Sequence, residues 1–277
     1  GSIPAHENWV QYLLGFLLKK HPMNKIARST NPALSKQIFQ SSSMSYAQSQ
    51  TMTIEGTVNK SLIMLGLVVL GAFYTWRLFF NAATTQAGVT AVTPWIAIGG
   101  IGGFILALVT IFKKNWAHFS APLYAVLEGL FLGGISAFFN AQYPGIVTQA
   151  VALTFGTMFV LLIAYKTGVI KVTKKFRNGV IAATGAVALV YFVSLIMQLF
   201  GANVVLFQPT LLGIGISLVV VVIAALNLVL DFDFIYQGSQ AGAPKMMEWY
   251  GAFGLTITLI WLYIEILRLL SLLAGRE

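Results

Sequence analysis

Residues 226 to 235 read LNLVLDFDFI and end an apolar run that begins near residue 209. This run is longer than the roughly 20 residues that a helix needs to cross a bilayer. It carries two carboxylates, Asp231 and Asp233, at its end. Ionisable groups in such a segment are costly, so they are candidates for function by default. The alternative is that the two aspartates only mark where a membrane helix leaves the bilayer.

Composition places the whole chain in the same class as this stretch. Of the 277 residues, 57% are hydrophobic and only 9% are charged, and the mean hydropathy is +0.81. These values are typical of an integral membrane protein. The net charge of +9 comes from basic residues between the apolar runs rather than from a basic face. A lipid bilayer is therefore the predicted partner, and nucleic acid is not.

The remaining apolar segments predict an all-α bundle of seven transmembrane helices within a membrane domain at 60–277. Before it, residues 23–59 are rich in Ser, Thr, Gln and Asn and predict a flexible cytoplasmic tail. Residues 1–22 are interpreted as an upstream or artificially added extension, since Met23 opens a stretch like an ordinary bacterial amino terminus. The seven predicted spans lie at about 61–80, 95–112, 119–139, 146–165, 179–200, 209–232 and 249–273.

Basic residues predict the orientation, because Lys and Arg near span ends concentrate on the cytoplasmic side. Fourteen of the 17 precede the first span or lie in the second, fourth and sixth connections. Connections 81–94, 140–146 and 201–208 carry no charge. We therefore expect a multi-pass protein of the bacterial inner membrane with its amino terminus in the cytoplasm and its carboxyl terminus outside. This orientation puts Asp231 and Asp233 near the cytoplasmic face.

Two further carboxylates lie deep inside predicted spans. Glu128 is ten residues beyond His118, which places it about 15 Å along its helix and near the bilayer centre. Glu265 lies about 24 Å beyond Trp249, in the outer half. Arg77 reaches a similar depth, and Arg268 is three residues from Glu265, so either could pair with that carboxylate. A structural ion pair and a functional role are both open for Glu265, and a functional role is favoured for Glu128.

The sequence gives little support for catalysis. Its three histidines lie outside the spans, it has no cysteine, and HExxH, GxSxG and phosphate-binding glycine motifs are absent. Asp231 and Asp233 are about 200° apart around one helix and cannot form a facing aspartyl pair. We therefore expect a protein that is not an enzyme and has no cofactor.

Three segments resemble the Bax inhibitor-1 family, in the broad group that includes bacterial inner-membrane proteins associated with protease regulation. The resemblance covers 23–274. The segments are PLYAVLEG at 122–129, ALNLVLDFDFI at 225–235, and EWY at 248–250 with LYIEILRLL at 262–270.

The resemblance implies a seven-helix, channel-like protein with a central last helix. It also implies a pH-responsive calcium leak gated by aspartates on the sixth and seventh helices. The sixth-helix aspartate corresponds to Asp231 or Asp233, and the third-helix glutamate to Glu128. The seventh-helix aspartate corresponds to Thr258 or to Glu265, depending on which neighbouring motif fixes the alignment.

Two functions from different classes follow. The first is a pH-sensitive leak channel or transporter for cations, calcium or protons, gated by intramembrane carboxylates. The second is a non-conducting regulator that binds another membrane protein, such as a membrane protease. A continuous hydrated path lined by carboxylates would favour the first, and carboxylates capped by Arg77 and Arg268 would favour the second.

The paired aspartates predict a division of roles. Asp231 should point into the bundle toward Glu248 or Thr258 on the seventh helix. Asp233 should face the headgroups or the basic connection 166–177. Because calcium favours clusters of oxygen ligands, Asp231 and Asp233 are also candidate calcium ligands.

Overall fold

The computed structural model of the protein describes residues 51–201 and 208–276. Within these ranges the chain forms seven α-helices that are long and apolar enough to cross a membrane. This confirms the predicted all-α bundle of seven spans. The predicted extension 1–22 and most of the predicted tail 23–59 lie outside the described residues. The helices are α1 (Ile54–Phe80), α2 (Thr85–Phe112), α3 (Ala117–Gln142), α4 (Ile146–Lys166), α5 (Lys174–Leu199), α6 (Leu211–Gln240) and α7 (Met247–Ala274).

Threonine caps explain why several helices begin before their apolar runs. The hydroxyl oxygen of Thr53 accepts the Gly56 N–H, and that of Thr84 accepts the Ala87 N–H. Such caps satisfy donors that the first turn of a helix leaves unpaired. As a result α1 begins at Ile54 rather than near 61, and α2 begins at Thr85 rather than near 95.

Helix α6 also extends beyond its apolar run. It ends at Gln240 and not near 232, so both aspartates are interior to the helix. Asp231 lies nine residues before that end, which is about 14 Å of helix. The aspartates therefore do not terminate the helix, although they do end its continuously apolar part.

The seventh helix is central, as predicted. It contacts α1, α3, α4 and α6, whereas α5 packs mainly on α6. The other well-enclosed helix is α3, which lies very close to α1. A Cβ atom on Gly133 would collide with the backbone of Ala72, so glycine is required there. Small residues allow this approach where lipid gives no hydrophobic drive between helices.

One end of the bundle is strongly basic. There the starts of α1, α3, α5 and α7 meet the ends of α2, α4 and α6, as cross-contacts show: Lys60 pairs with Glu248, and the Lys114 ammonium lies 5.3 Å from the Tyr250 ring centroid. We call this the basic end and the other the opposite end. Among the described residues, its cations are Lys60, Lys113, Lys114, Lys166, Lys171, Lys174, Lys175, Arg177 and Lys245.

Candidate functional site

Asp231 faces the central helix near the basic end. Its side chain lies beside that of Thr258 on α7. The Thr258 hydroxyl also lies 3.2 Å from the Gly254 carbonyl oxygen, to which it donates. A Cβ atom on Gly254 would lie 3.8 Å from Asp231 Oδ1, so the carboxyl sits directly over this part of α7. Its other oxygen, Oδ2, is buried and has no hydrogen-bond partner among the described residues.

Asp233 faces a different pair of helices. Its Oδ2 accepts a hydrogen bond of 2.6 Å from Arg177 Nη2 on α5, and its Oδ1 accepts one of 3.1 Å from the Tyr165 hydroxyl on α4. Asp233 is buried, whereas the Arg177 side chain is half exposed. The two aspartates thus point to different helices, as their spacing predicted, with Asp231 toward Thr258 and Asp233 toward segment 166–177.

Glu248 joins the start of α7 to the start of α1. Its carboxylate is fully buried and pairs with the Lys60 ammonium. The Thr53 N–H and the Thr53 hydroxyl each donate a hydrogen bond of 3.0 Å to Glu248 Oε1. Thr258 lies ten residues further along α7, about 15 Å away along the axis, so Glu248 does not share the position of Asp231.

Glu265 is the centre of a polar cluster toward the opposite end. Arg268 Nη2 lies 2.5 Å from its Oε2, and its Oε1 accepts hydrogen bonds of 2.7 Å from the Tyr191 hydroxyl and 3.1 Å from Trp261 Nε1. Of the two arginines considered as partners, Arg268 makes the contact. Arg77 is exposed, with its guanidinium 5.8 Å from the Phe73 ring centroid.

Glu128 lies midway along α3 and is half-buried. Its carboxylate is directed to α2, where a Cβ atom on Gly103 would lie 2.7 Å from Oε1. No described residue donates a hydrogen bond to it. The structure therefore packs the Glu128 carboxylate against Gly103 of α2 and does not join it to Asp231 or Glu265.

A shared calcium site at Asp231 and Asp233 is not formed. The two carboxylates diverge because residues two apart on a helix point in nearly opposite directions. Within the described residues, no three His, Cys, Asp or Glu side chains cluster in a way that could hold a metal ion. Calcium in proteins takes about six to eight oxygen ligands, far more than Asp231 and Thr258 supply.

Several partners of these carboxylates were not identified from the sequence. Arg177, Tyr165 and Lys60 lie far from their carboxylates along the chain, so no local pattern reveals them. Trp261 could have been found, since it lies four residues before Glu265 on the same helix face. Tyr191 is a polar side chain within the fifth span, which is a weaker signal.

The bundle also has a lateral cavity of about 700 Å³ between α1 and α4, with α3 and α7 at its back. Its walls are mainly apolar. At its base the Ser136 and Tyr263 hydroxyls are 2.7 Å apart. None of the candidate carboxylates lines it.

Fold and site together define a multi-pass α-helical membrane protein with carboxylates buried among its helices. Residues 31–275 match the family model described as Bax inhibitor 1 like. The chain therefore belongs to the Bax inhibitor 1-like family, in agreement with the resemblance in the third, sixth and seventh spans. Neither a curated protein nor a solved structure matches the chain.

Proposed function

We propose that this protein is a pH-sensitive cation leak channel or transporter, and that Asp231 is the ionisable group through which it acts. The observation that carries this proposal is the placement of the Asp231 carboxyl against the central helix, with a buried oxygen that no described residue satisfies. Buried polar atoms are normally hydrogen-bonded, and exceptions call for a functional explanation. The proposal includes no catalytic reaction.

Asp231 can respond to pH because its carboxyl can gain or lose a proton. A hydroxyl can accept a hydrogen bond from a protonated carboxyl or donate one to an ionised carboxylate, so Thr258 can serve either state of Asp231. A deprotonated carboxyl instead attracts a cation. The titratable and charged groups near this end of α6 are Asp233 on α6 itself, Lys60 of α1, Tyr165 and Lys166 of α4, Arg177 of α5 and Glu248 of α7.

Those neighbouring charges are largely neutralised by one another. Asp233 is held by Arg177, and Glu248 is held by Lys60. Among the described residues Asp231 has no such cation, so it is the one of these three carboxylates that remains able to take up a proton or a passing ion. Calcium, which the family resemblance implies, would find few ligands here, so a resident calcium ion is not part of the proposal.

The basic end supplies the proposed orientation. Its concentration of Lys and Arg supports a cytoplasmic location for this end in a bacterial inner membrane, under the positive-inside rule. Asp231 would then be reached from the cytoplasm.

The test is ion flux into proteoliposomes, measured for calcium and for protons over a pH series. Asp231→Asn keeps the shape of the side chain and removes the titration, so it should strongly reduce the pH response. Glu55→Gln is the matched control, because Glu55 is exposed in the first turn of α1. Equal pH responses in wild type and Asp231→Asn would refute the role of Asp231.

A second candidate is the non-conducting regulator that binds another membrane protein. Three carboxylates, Asp233, Glu248 and Glu265, are each paired with a basic side chain, as structural ion pairs are. The lateral cavity between α1 and α4 also gives another membrane protein a surface on the side of the bundle to which it could bind. Flux no greater than in protein-free vesicles at every pH would favour this candidate over the first.

A further inference from the structure

Helix α5 attaches to the bundle along a single stripe. Its members recur at alternating intervals of three and four residues, the spacing that keeps side chains on one helix face. Val180, Val187 and Ser194 are its buried members, and the others make side-chain contacts with α6 or α7. The α5 stripe consists of Arg177, Val180, Thr184, Val187, Tyr191 and Ser194.

Helices α6 and α7 present stripes of the same spacing. Each contains several polar residues in an otherwise apolar span. The α6 stripe consists of Ser217, Val220, Ala224, Asn227 and Asp231. The α7 stripe consists of Gly254, Thr258, Trp261, Glu265 and Arg268.

Direct contacts show that the three stripes face one another. Between α5 and α6, Asn227 Nδ2 donates a hydrogen bond of 2.8 Å to Thr184 Oγ1. Between α5 and α7, the Tyr191 hydroxyl donates a hydrogen bond of 2.7 Å to Glu265. The third contact is the one between Asp231 and Thr258. The crevice between α5, α6 and α7 is therefore polar at successive levels.

Two unsatisfied oxygens lie on the α6 stripe. Among the described residues, Ser217 Oγ and Asp231 Oδ2 are the buried side-chain oxygens without a hydrogen-bond partner. Ser217 is completely buried. Buried polar atoms without a protein partner are usually hydrogen-bonded to water. These atoms lie about 21 Å apart along α6, near the two ends of the crevice.

We propose that this three-helix crevice is a proton route across the membrane, and we call it the α5 track. The proposal rests on the proposed function and names both the path and the ion. Its polar levels run from Asp231 and Thr258, through Asn227 and Thr184, to Tyr191 and Glu265. From Thr258 to Glu265 these levels cover about 10 Å of helix, and the buried Ser217 extends the polar positions to about 21 Å from Asp231 along α6, within a hydrocarbon core about 30 Å thick.

The chemistry of the track suits protons better than metal cations. A proton needs a chain of groups that each accept one hydrogen bond and donate another, which hydroxyls, carboxyls and water provide. Valine and alanine separate the polar levels, so a calcium ion would lack the oxygen ligands that it needs at each step. Asp231 takes up the proton at the basic end, and the Tyr191 hydroxyl, which donates to the ion-paired Glu265, continues the chain toward the opposite end.

The ion pairs at either end hold α5 in place beside the track. Arg177 binds Asp233 at the basic end. At the opposite end the Arg268 guanidinium lies 5.1 Å from the Tyr191 ring centroid while it pairs with Glu265. Because these two arginines are matched by carboxylates, they add little net charge beside the track.

The experiment compares hydroxyl deletions inside and outside the track in proteoliposomes, with a trapped pH dye and, in parallel, a trapped calcium dye. Tyr191→Phe removes the hydroxyl that donates to Glu265. Its matched control is Tyr263→Phe, which removes the hydroxyl that bonds to Ser136 outside the track. Thr184→Val is matched by Thr93→Val, since both threonines bond to the carbonyl four residues earlier.

Proton flux should fall about tenfold in Tyr191→Phe and Thr184→Val. A tenfold change in rate is what the loss of one hydrogen bond at the highest barrier of the route would cause. The two controls should stay within about twofold of wild type, and Thr184→Ser should restore flux because it keeps the hydroxyl. Thermal unfolding of each purified variant verifies that the fold is kept.

Two results would overturn the α5 track. If the wild-type protein passes protons and the track variants pass them as fast as their controls do, the proton route lies elsewhere. If the wild-type protein passes calcium but no protons, the α5 track is not a proton route. In both cases the proposed cation function stands. A wild type that passes neither ion would remove the proposed function and the track together.

Discussion

The pair between Lys60 and Glu248 offers a sharp test of how α1 is fixed to α7. Glu248 has 0% of its side chain exposed, and Lys60 has 18%. Lys60→Met keeps the length of the side chain and removes its charge. The carboxylate is then left buried without a cation and retains only its two hydrogen bonds from Thr53.

The expected loss of stability follows from this geometry. Removing one partner of a buried pair costs about 3–5 kcal/mol. Since Lys60 is partly exposed and Thr53 still stabilises the carboxylate, we expect about 3 kcal/mol for Lys60→Met. Adding Glu248→Gln removes the uncompensated charge, so the double variant should lose only about 1–2 kcal/mol.

The measurement is equilibrium unfolding in mixed micelles, followed by tryptophan fluorescence. Lys166→Met is the control, because Lys166 is exposed at the end of α4 and should change stability by less than about 0.5 kcal/mol. Two results would refute the reasoning: Lys60→Met as stable as the control, or the double variant at least as unstable as Lys60→Met alone.

Three further predictions concern orientation, helix contact and the isolated glutamate. In spheroplasts of the cysteine-free chain, an impermeant maleimide should label Asn81→Cys and not Gln240→Cys, because the basic end is expected in the cytoplasm; the reverse labelling would invert the proposed orientation. Gly133→Leu should destabilise the bundle by at least about 3 kcal/mol or prevent folding, since α1 leaves no room for a side chain, whereas Gly156→Leu should be tolerated in thermal unfolding because nothing lies within 4 Å of its Cβ position. Glu128→Gln should keep the fold and weaken the pH dependence of flux; an unchanged pH profile would make Glu128 a packing residue.

The number of helices and the family could be predicted from the sequence because they depend on local properties. Seven apolar runs of sufficient length are visible without any knowledge of contacts, since a bilayer requires each span to satisfy its own backbone. Helix starts were less accurate. Residues 51–59 read as part of a polar tail, but the Thr53 cap, the contact of Thr53 with Glu248 and the bond from the Met52 N–H to the Ala243 carbonyl include them in the folded structure.

The different directions of Asp231 and Asp233 also followed from sequence, because helical geometry separates neighbours two residues apart. Their partners did not. Arg177 lies 56 residues from Asp233 along the chain, and only the docking of α5 on α6 brings the two together. Likewise the choice between Glu248 and Thr258 as the neighbour of Asp231 depends on the axial position of α7 relative to α6.

What the sequence by itself determined is therefore the class of protein, the number of spans and which carboxylates lie within them. The tertiary structure decided which of those carboxylates are neutralised. Glu265 and Glu248 became members of ion pairs, while Asp231 was placed against Thr258 with a buried oxygen that no residue in the described ranges satisfies. The physical reason is that the energy of a charge in a membrane depends on its nearest opposite charge, and helices that are distant in sequence supply that neighbour only after they pack.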